Sequence, residues 1–408
     1  MRRSARLFTT ASVIASLVCA GTAAYAATAG TGAYAATAGT AARAAAPPPA
    51  GWRIVAGFPL GSSVHEFAAS GPDDAWAAET CQKPCKSANG VILRHWNGKS
   101  WQAEPQPAVA KHTGDDYPLL AMAPGSNDVW AVYSLYGGKS RASAVEWTGK
   151  SWGKATLFPG PPPSANPRTG PSGTVFTSVV APAPGDVWAF GTADGEGTQY
   201  VAHYNGKTWS RVTPPGALRE NDWTASARSA SDIWAQTATH VGDVLEVSHW
   251  NGTRWGKPAQ LAAPKGANVG YSVGIAVSGR SDVWGYGYTA LGLKIPHTDW
   301  LSHFNGRSWS MVRNPYTLAG SIVSGPLGAD GSGGLWIAAY PVGSTIQHLY
   351  HVSAAGHWLK LAIRAPKGTA SIVLSGFAAI PGSTSLYAYG SAQASSGQTE
   401  GVILKYGA

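Results

Sequence analysis

An Asp-x-Trp motif that recurs about every 50 residues is the feature that most narrows the folds open to this chain. It occurs at Asp74–Trp76, Asp128–Trp130, Asp186–Trp188, Asp232–Trp234 and Asp282–Trp284, with weaker copies at Gly334–Trp336 and Ser385–Tyr387. Successive aromatic residues of the motif are 54, 58, 46, 50, 52 and 51 residues apart. A fixed period of about 20 to 50 residues is typical of repeat architectures. The motif therefore predicts seven equivalent structural units.

A second motif alternates with the first and indicates what each unit contains. It reads HWNGKSW at 95–101, EWTGKSW at 146–152, HYNGKTW at 203–209, HWNGTRW at 249–255 and HFNGRSW at 303–309. Asn-Gly accepts positive φ at little cost and is a strong hairpin signal. The rest of each unit consists of short β-rich runs broken by Gly, Pro, Asn and Ser, without a helical period. We therefore expect an all-β fold, a seven-bladed β-propeller of four-stranded antiparallel blades.

The two ends of the repeat region predict how the ring closes. The last unit has strand-like runs around 372–379, 386–388 and 402–406, and the sequence then stops at Ala408 without a fourth strand. The repeat region opens with Gly51–Val55, which has the character of a fourth strand and no strands before it. We predict that this N-terminal strand completes the seventh blade.

The first 50 residues lie outside the repeats. Residues 1–26 combine a basic start, an apolar run over Leu7–Ala20 and the small-x-small site Ala24-Tyr25-Ala26, which is the pattern of a secretory signal. Residues 27–50 are rich in Ala, Thr and Gly and end in three prolines, so they bury too little apolar surface to fold. We expect a signal peptide over 1–26, a disordered linker over 27–50 and a propeller over 51–408.

These expectations make the protein secreted and extracellular. Arg2-Arg3 leaves both Sec and twin-arginine export open. No later apolar run is long enough to predict a transmembrane segment. Removing the signal peptide takes away three arginines and lowers the formal charge from +9 to +6. Charged residues make up only 12% of the chain and form no basic run, so the sequence argues against nucleic-acid binding.

Cysteines and histidines are the residues to test for metal or redox chemistry. Cys81 and Cys85 are the two cysteines left after signal cleavage, and in an exported protein they predict one disulfide. We letter the four strands of each unit A to D in chain order, so that strand B begins at the Trp of Asp-x-Trp and strand C ends at the His of the second motif. The strand-C histidines recur in almost every unit. This recurrence favours local hydrogen bonds, with the repeated Asp as a candidate partner, over a ring of ligands or bases. They are His95, His203, His249, His303 and His351. We expect no metal site and no cofactor.

The repeat S-x-D-V-W followed by H-W-N-G-x-x-W resembles the repeats of exported bacterial β-propeller proteins and is similar in outline to tectonin-type lectin repeats. The resemblance covers nearly all of residues 51–408 and implies the propeller fold. The N-G-K-S-W piece also looks like the Asp-box hairpin of sialidases, S-x-D-x-G-x-T-W, but it lacks the leading Ser and is one residue shorter. The Arg-Ile-Pro motif of sialidases does not occur in the sequence. The resemblance therefore implies a fold and not a sialidase activity.

The two faces of such a propeller differ in sequence. The A–B and C–D turns share one face, called here the turn face, and they are short and uniform. Their basic residues form a weak ring that we interpret as a solvated edge: Lys99, Lys150, Lys207, Arg254 and Arg307. The B–C and D–A connections share the opposite face, called the loop face, and vary in length and chemistry. Variable loops on a rigid scaffold are the default place for recognition.

Candidate ligand-binding residues lie at the loop-face mouth of the central channel. Positions about 11 to 13 residues before each strand-B aromatic carry His65, Glu66, Asp116, Tyr117, Phe176, Asp222, Trp223 and Tyr271. Aromatic faces beside acids suit sugar rings, and ordinary inner-strand packing is the alternative. If a ligand binds here, Tyr117, Trp223 and Tyr271 should stack on it. Glu66, Asp116 and Asp222 should accept its hydrogen bonds.

The sequence contains no catalytic motif, so function is predicted by class. The first hypothesis is a non-catalytic, monomeric module that binds an extracellular glycan, peptide or surface partner. The alternative is a carbohydrate-active hydrolase or lyase with a carboxylate pair drawn from Glu66, Asp116 and Asp222, because glycoside hydrolysis uses two carboxyls at a set separation. A purely structural cell-surface scaffold is the third hypothesis.

Overall fold

The computed structural model describes residues 51–81, 90–112, 117–134, 142–158, 174–193, 198–213, 223–239, 244–264, 274–288, 299–316, 327–340, 346–363, 365 and 367–407. Over these ranges the chain forms seven antiparallel sheets of four strands each. One short 3₁₀ helix, Ala108–His112, precedes the second sheet. Within the described ranges, no helix has the length and apolar character needed to cross a membrane.

Blades 1 to 4 follow one another along the chain. Blade 1 contains β2 (Ser62–Gly71), β3 (Asp74–Cys81), β4 (Val91–Trp96) and β5 (Trp101–Glu104). Blade 2 contains β6 (Leu119–Met122), β7 (Val129–Tyr133), β8 (Ser143–Trp147) and β9 (Thr156–Leu157). Blade 3 contains β10 (Val175–Ala183), β11 (Asp186–Ala193), β12 (Thr198–Tyr204) and β13 (Trp209–Val212). Blade 4 contains β14 (Trp223–Ser229), β15 (Asp232–Thr239), β16 (Val244–Trp250) and β17 (Ala259–Gln260).

Blades 5 to 7 complete the series, and the last one combines both ends of the described chain. Blade 5 contains β18 (Gly274–Gly279), β19 (Asp282–Tyr288), β20 (Asp299–Phe304) and β21 (Trp309–Val312). Blade 6 contains β22 (Leu327–Ala329), β23 (Leu335–Ala339), β24 (His348–Val352) and β25 (Trp358–Leu361). Blade 7 contains β26 (Thr369–Ala379), β27 (Leu386–Ala394), β28 (Thr399–Tyr406) and β1 (Trp52–Leu60).

The blades are arranged in a closed ring. Each inner strand contacts the inner strand of the next blade, in the order β2, β6, β10, β14, β18, β22, β26 and back to β2. Because each blade is covered on both faces, its second strand is buried almost throughout, as in the iBBBBBii pattern of β3. The repeated tryptophans Trp76, Trp188, Trp284 and Trp336 are fully buried in clusters that span neighbouring blades. The predicted seven-bladed propeller is confirmed.

The N-terminal strand closes the ring as predicted. β1 pairs antiparallel with β28, and Trp52 lies opposite Tyr406 in the register. The Trp52 ring packs edge-on against Trp336 of blade 6 at a centroid distance of 5.3 Å. The guanidinium of Arg53 donates a hydrogen bond to the carbonyl of Gly407. The outermost strand of the last blade therefore comes from the beginning of the domain.

The outer strands differ from expectation in two blades. We expect strand D to begin at the second Trp of the motif, and it does so in blades 1, 3, 5 and 6. In blades 2 and 4, Trp152 and Trp255 make only isolated bridges with Trp147 and Trp250, and the strand begins later. Both tryptophans are followed by Gly-Lys, and the glycine N–H bonds back to strand C, as Gly153 does to the Glu146 carbonyl at 2.8 Å. Glycine packs no side chain on the sheet, so the ladder breaks there.

Candidate functional site

The repeated Asp, His and Trp of the turn face form one structural unit in five blades. The imidazole Nε2 of the strand-C histidine lies within hydrogen-bond distance of the aspartate, in the pairs His95–Asp74 (2.9 Å), His203–Asp186 (2.7 Å), His249–Asp232 (2.9 Å), His303–Asp282 (3.1 Å) and His351–Asp330 (2.8 Å). Each imidazole also packs on the strand-B Trp of its own blade, at centroid distances from 3.9 to 4.7 Å. These histidines are thus engaged in local bonds, as the repeat pattern predicts.

Blade 6 obtains its aspartate from a position that the motif does not mark. Gly334 stands where other blades have Asp, but the carboxylate bonded to His351 belongs to Asp330. Its Oδ1 also accepts the N–H groups of Ser332 and Gly334, both at 2.7 Å, and the hydroxyl of Ser278 at 2.9 Å. Burial acts to raise the pKa of Asp330, but the hydrogen bonds from His351 and the two N–H groups outweigh it and hold the pKa below its usual value.

Blade 2 carries an acid in place of the histidine. Glu146 lies opposite Trp130 in the register, at the position that His95 occupies opposite Trp76. Burial and the nearby Asp128 carboxylate raise the pKa of Glu146. Two neighbouring carboxyls share this turn, so the unit of blade 2 is not an Asp–His pair.

On the loop face, two of the predicted site residues meet where blades 1 and 2 adjoin. The rings of His65 and Tyr117 are stacked, with centroids 4.6 Å apart and an interplanar angle of 18°. His65 lies at a register shift of the inner strand β2, between Val64 and Glu66. Burial lowers the pKa of His65 to about 4, so its imidazole is neutral at neutral pH.

Glu66 lies next to this aromatic pair and is 1% exposed. Its carboxyl accepts the backbone N–H of Leu120 in the neighbouring blade. The hydroxyl of Ser178 makes the corresponding bond from blade 3 to Ala225 of blade 4, at 3.0 Å. A carboxyl has a second oxygen, however, and Oε2 of Glu66 has no hydrogen-bond partner within the described part of the chain. Burial raises the pKa of Glu66 well above its usual value, and the Leu120 bond offsets only part of this rise.

Tyr389 of blade 7 is the neighbour that sequence reasoning missed. It is fully buried, and its pKa is raised by burial and by the nearby Glu66 and Tyr117. Its ring crosses Gly376, where an added Cβ atom would lie 2.0 Å from the phenol oxygen. The positions predicted from the sequence all belong to predicted inner strands, whereas Tyr389 lies on the second strand of its blade. The glycine at 376 is the one sequence signal that makes room for it. His65, Glu66, Tyr117 and Tyr389 are called the loop-face cluster below.

The other predicted site residues that the structure describes, Trp223 and Phe176, are not part of this cluster. Trp223 is 1% exposed, packs against Phe190 with centroids 5.9 Å apart, and belongs to the core between blades 3 and 4. Its backbone N–H donates to the hydroxyl of Thr177, which donates in turn to the backbone carbonyl of Trp223. Phe176 is likewise buried, against Phe158. Both placements match the inner-strand packing stated as the alternative.

Several sequence predictions fall outside the described residues. The residues concerned are Asp116, Asp222, Tyr271 and Cys85. Cys81 ends β3. The disulfide therefore stays a prediction. Over the described ranges, no group of three or more His, Cys, Asp or Glu side chains is arranged to hold a metal ion.

The centre of the ring beside blades 4 to 7 is lined by uncharged and mostly apolar residues. They are Ser226, Ala276, Leu327, Gly328, Ala329, Phe377 and Ala379. The Ser226 hydroxyl already accepts the Val277 N–H at 3.0 Å. This lining offers no charged group, whereas the loop-face cluster contains a carboxyl and an imidazole.

Comparison with known proteins supports the fold. No protein-family model matches the chain, and no curated protein matches it. Among solved structures, an ulvan lyase described as a new family of polysaccharide lyase has a TM-score of 0.57 at 13% identity, over 86% of this chain and 96% of that chain. YCF48 from Cyanidioschyzon merolae has a TM-score of 0.51 at 13% identity, over 88% of this chain and 99% of that chain. At such identities the likeness shows the fold alone.

Proposed function

We propose that this propeller is an exported, non-catalytic module that binds an extracellular glycan at the loop-face cluster. The observation that carries the proposal is the second oxygen of Glu66, which is buried without a hydrogen-bond partner in the described part of the chain. Buried polar groups are almost always hydrogen-bonded, and an exception calls for a partner. A sugar hydroxyl supplies such a partner, and the stacked rings of His65 and Tyr117 offer an aromatic surface to a sugar C–H face.

The charge state of the cluster favours a hydroxyl-rich, uncharged ligand. Burial favours the protonated form of Glu66, in which the carbonyl oxygen accepts the Leu120 N–H and the O–H is left to donate. His65 is neutral because its pKa is about 4. The cluster therefore combines donors and acceptors without a net charge, which matches the hydrogen-bonding groups of a neutral sugar.

The alternative function is a carbohydrate-active hydrolase or lyase. A protonated, buried glutamic acid has the property that a general acid needs, which favours this alternative. Hydrolysis also needs a second carboxyl at about 5 to 9 Å. Asp116 and Asp222, the predicted partners, lie outside the described residues. Because the described cluster holds one carboxyl in an aromatic setting, we favour binding.

Export is part of the proposal. Residues 1–26 and 27–50 lie outside the described residues, and their interpretation as a signal peptide and a linker rests on the sequence pattern. A peptide or protein ligand and a purely structural scaffold are the remaining interpretations.

The test is a glycan array probed with the chain from Ala27 onward, followed by calorimetric titration of the neutral glycans that bind. Stacking on an aromatic ring contributes about 1 to 3 kcal/mol in the nucleic-acid case, so Tyr117→Ala should weaken binding roughly five- to a hundredfold. Tyr316→Ala is the matched control, because Tyr316 is also half-buried and packs on one tyrosine, Tyr350, at 5.2 Å. Equal losses in the two variants would contradict the proposed site.

Product analysis separates binding from catalysis. Each bound glycan is incubated with the protein and assayed for new reducing ends and for unsaturated sugars. We expect neither. Product formation that Glu66→Gln abolishes would replace the binding proposal with the hydrolase or lyase.

A further inference from the structure

The turn face carries an arc of positive charge over five consecutive blades. The C–D turns of blades 1 to 5 each expose one cation, namely Lys99, Lys150, Lys207, Arg254 and Arg307. These turns have fixed geometry. Asn205, for example, accepts the backbone N–H groups of Lys207 and Thr208 at 3.1 and 3.0 Å. Since the turn is held by the Asn205 side chain and backbone N–H groups, the basic side chain takes no part in these bonds.

The A–B turns lie beside these C–D turns. A Cβ atom added at Gly98 would lie 3.1 Å from Asp73, and one added at Gly306 would lie 2.8 Å from Ser281. The A–B turns add one more exposed cation, Arg280. Among the described turn residues of this face, the exposed acid is Asp73. The aspartates that begin strand B are only partly exposed, and those of four of these five blades are bonded to histidines. Cations therefore dominate the tips of the turns.

In sequence, each cation of the arc also lies between two aromatic residues, one at each end of its turn. The two rings of each pair are 5.5 to 5.9 Å apart, in the pairs Trp96–Trp101, Trp147–Trp152, Tyr204–Trp209, Trp250–Trp255 and Phe304–Trp309. Nine of these ten rings are only partly buried. The unit that repeats around this face is thus an exposed cation in a turn that begins and ends at a pair of packed, partly exposed aromatic rings.

We propose that this basic arc docks an extended anionic polysaccharide. The cations follow one another from blade to blade and do not converge on a point, so they suit a polymer whose charges repeat and not a small anion. Individual exposed charges interact weakly and are screened over about 10 Å at 0.1 M salt, so affinity must come from several contacts at once. The aromatic flanks favour a chain of sugar rings over a lipid surface.

This site is independent of the proposed function. The arc lies on the opposite face of the ring from the loop-face cluster, and its ligand is charged, whereas the cluster suits an uncharged one. Variants of one site leave the residues of the other unchanged, so failure of either proposal is visible separately.

Polygalacturonate is the probe, with uncharged dextran as the control polymer. The test variant combines Lys150→Gln, Lys207→Gln and Arg254→Gln. The control variant combines Arg313→Gln, Lys360→Gln and Lys367→Gln, which removes three exposed cations elsewhere and changes the net charge equally. A basic residue near an anionic surface contributes about 1 kcal/mol, so the arc variant should bind about 100-fold more weakly. We expect the control variant and Tyr117→Ala to keep wild-type affinity, and dextran not to bind the arc.

Salt dependence gives a second readout. Taking counterion release from nucleic acid as a guide, the slope of log K against log salt should fall by about 2 to 3 in the arc variant. Three results would overturn the proposal: an unchanged affinity in the arc variant, an equal loss in the control variant, or tighter binding of a single-stranded oligonucleotide than of polygalacturonate at equal charge concentration. Thermal melts of both variants check that the ring stays folded.

Discussion

Asp330 accepts hydrogen bonds from an imidazole, a hydroxyl and two backbone N–H groups, and its side chain is 11% exposed. Asp282 plays the same part in blade 5, but its side chain is 30% exposed. Removing a partner from several buried groups costs more than removing one from a solvated pair. We expect Asp330→Ala to lower the free energy of unfolding by about 2 to 4 kcal/mol and Asp282→Ala by about 1 kcal/mol. Urea titrations at neutral pH measure both, and equal losses would contradict the role assigned to Asp330.

The ionisation of Glu66 and that of His65 should change the free energy of unfolding with pH in opposite directions. The folded-state pKa of Glu66 is raised, so stability falls as pH rises from about 4.3, where the unfolded chain ionises, towards the folded-state pKa. The folded-state pKa of His65 is lowered to about 4, so its contribution is lost as pH falls from about 6.5 towards that value. The two slopes oppose each other above about 4.3, and the His65 contribution is complete by about 6.5.

Glu66→Gln isolates the first effect, because glutamine has the same shape and no ionisation. We expect the variant to gain stability over the wild type as pH rises from about 4.3 towards the folded-state pKa of Glu66, by at most about 1.4 kcal/mol per pH unit. Denaturant titrations across this range give the difference. A difference that stays constant with pH would show that Glu66 does not titrate as its burial implies.

The sequence predicts residue roles well where a role repeats. The Asp, His and Trp of the turn face were identified from their recurrence, and their pairing is confirmed. Asp330 was not identified in this way, because it lies four residues before Gly334, the position where the motif predicts the aspartate. Residues that act once, such as Tyr389 beside Glu66, have no copies to compare, and only the packed structure brings them together.

At the scale of elements, β1 is the strand whose loss should matter most. Trp52 packs on Trp336 of blade 6 and on Phe377 and Tyr406 of blade 7, at centroid distances of 5.3, 5.8 and 5.5 Å. We expect Trp52→Ala to cost about 3 kcal/mol, as for a packed aromatic side chain, and deletion of residues 51–58 to lower the melting temperature further. Ile54→Ala, at an exposed residue of the same strand, should cost less than about 1 kcal/mol.

Calorimetric melts compare the three variants with the wild type. An unchanged melt after deletion of 51–58 would contradict the role of β1 in stability. A loss for Ile54→Ala as large as for Trp52→Ala would show that strand pairing, and not the packing of Trp52, is what β1 contributes.

Strand order and ring closure were predictable because hydrophobic runs and Asn-Gly turns are local signals. The first and last residues of the strands were less predictable. The inner strand of blade 3, for example, is observed at Val175–Ala183, where it continues beyond the apolar run to the A–B turn. The register shifts of β2, β10 and β26 were not predicted either, because they arise from fitting inner strands around a ring and leave no periodic signal in the sequence.

At the scale of the whole molecule, the compartment is a prediction that one experiment checks. Cys81 and Cys85 should form a disulfide in the exported protein, because no third cysteine remains after signal cleavage. Intact-mass measurement should place the N-terminus at Ala27 and show a gain of two hydrogen masses on reduction. Two alkylatable thiols in the native protein would contradict the disulfide, and a retained leader would contradict the cleavage site.

Function was the least predictable property because the ring supports many sites. The similar structures include a polysaccharide lyase and YCF48, which share this fold at 13% identity each. A fold does not imply a function, which depends on a few side chains grafted on it. Of the two sites proposed here, the basic arc lies within the repeated turn motif, whereas the loop-face cluster does not follow from the repeat.

The pairing of β1 with β28 also dictates an order of folding. Arg53 and Gly407 are 354 residues apart in sequence, and closing a loop of that length costs on the order of 5 kcal/mol of chain entropy. Blades 1 to 6 each form from neighbouring hairpins, so they have local contacts that fold early. Blade 7 does not, because its outer strand is made first and its other three strands last. A chain that crosses a membrane from its N-terminus would therefore hold β1 as an unpaired edge until the final blade emerges, and ring closure would be the slow, last step of its maturation.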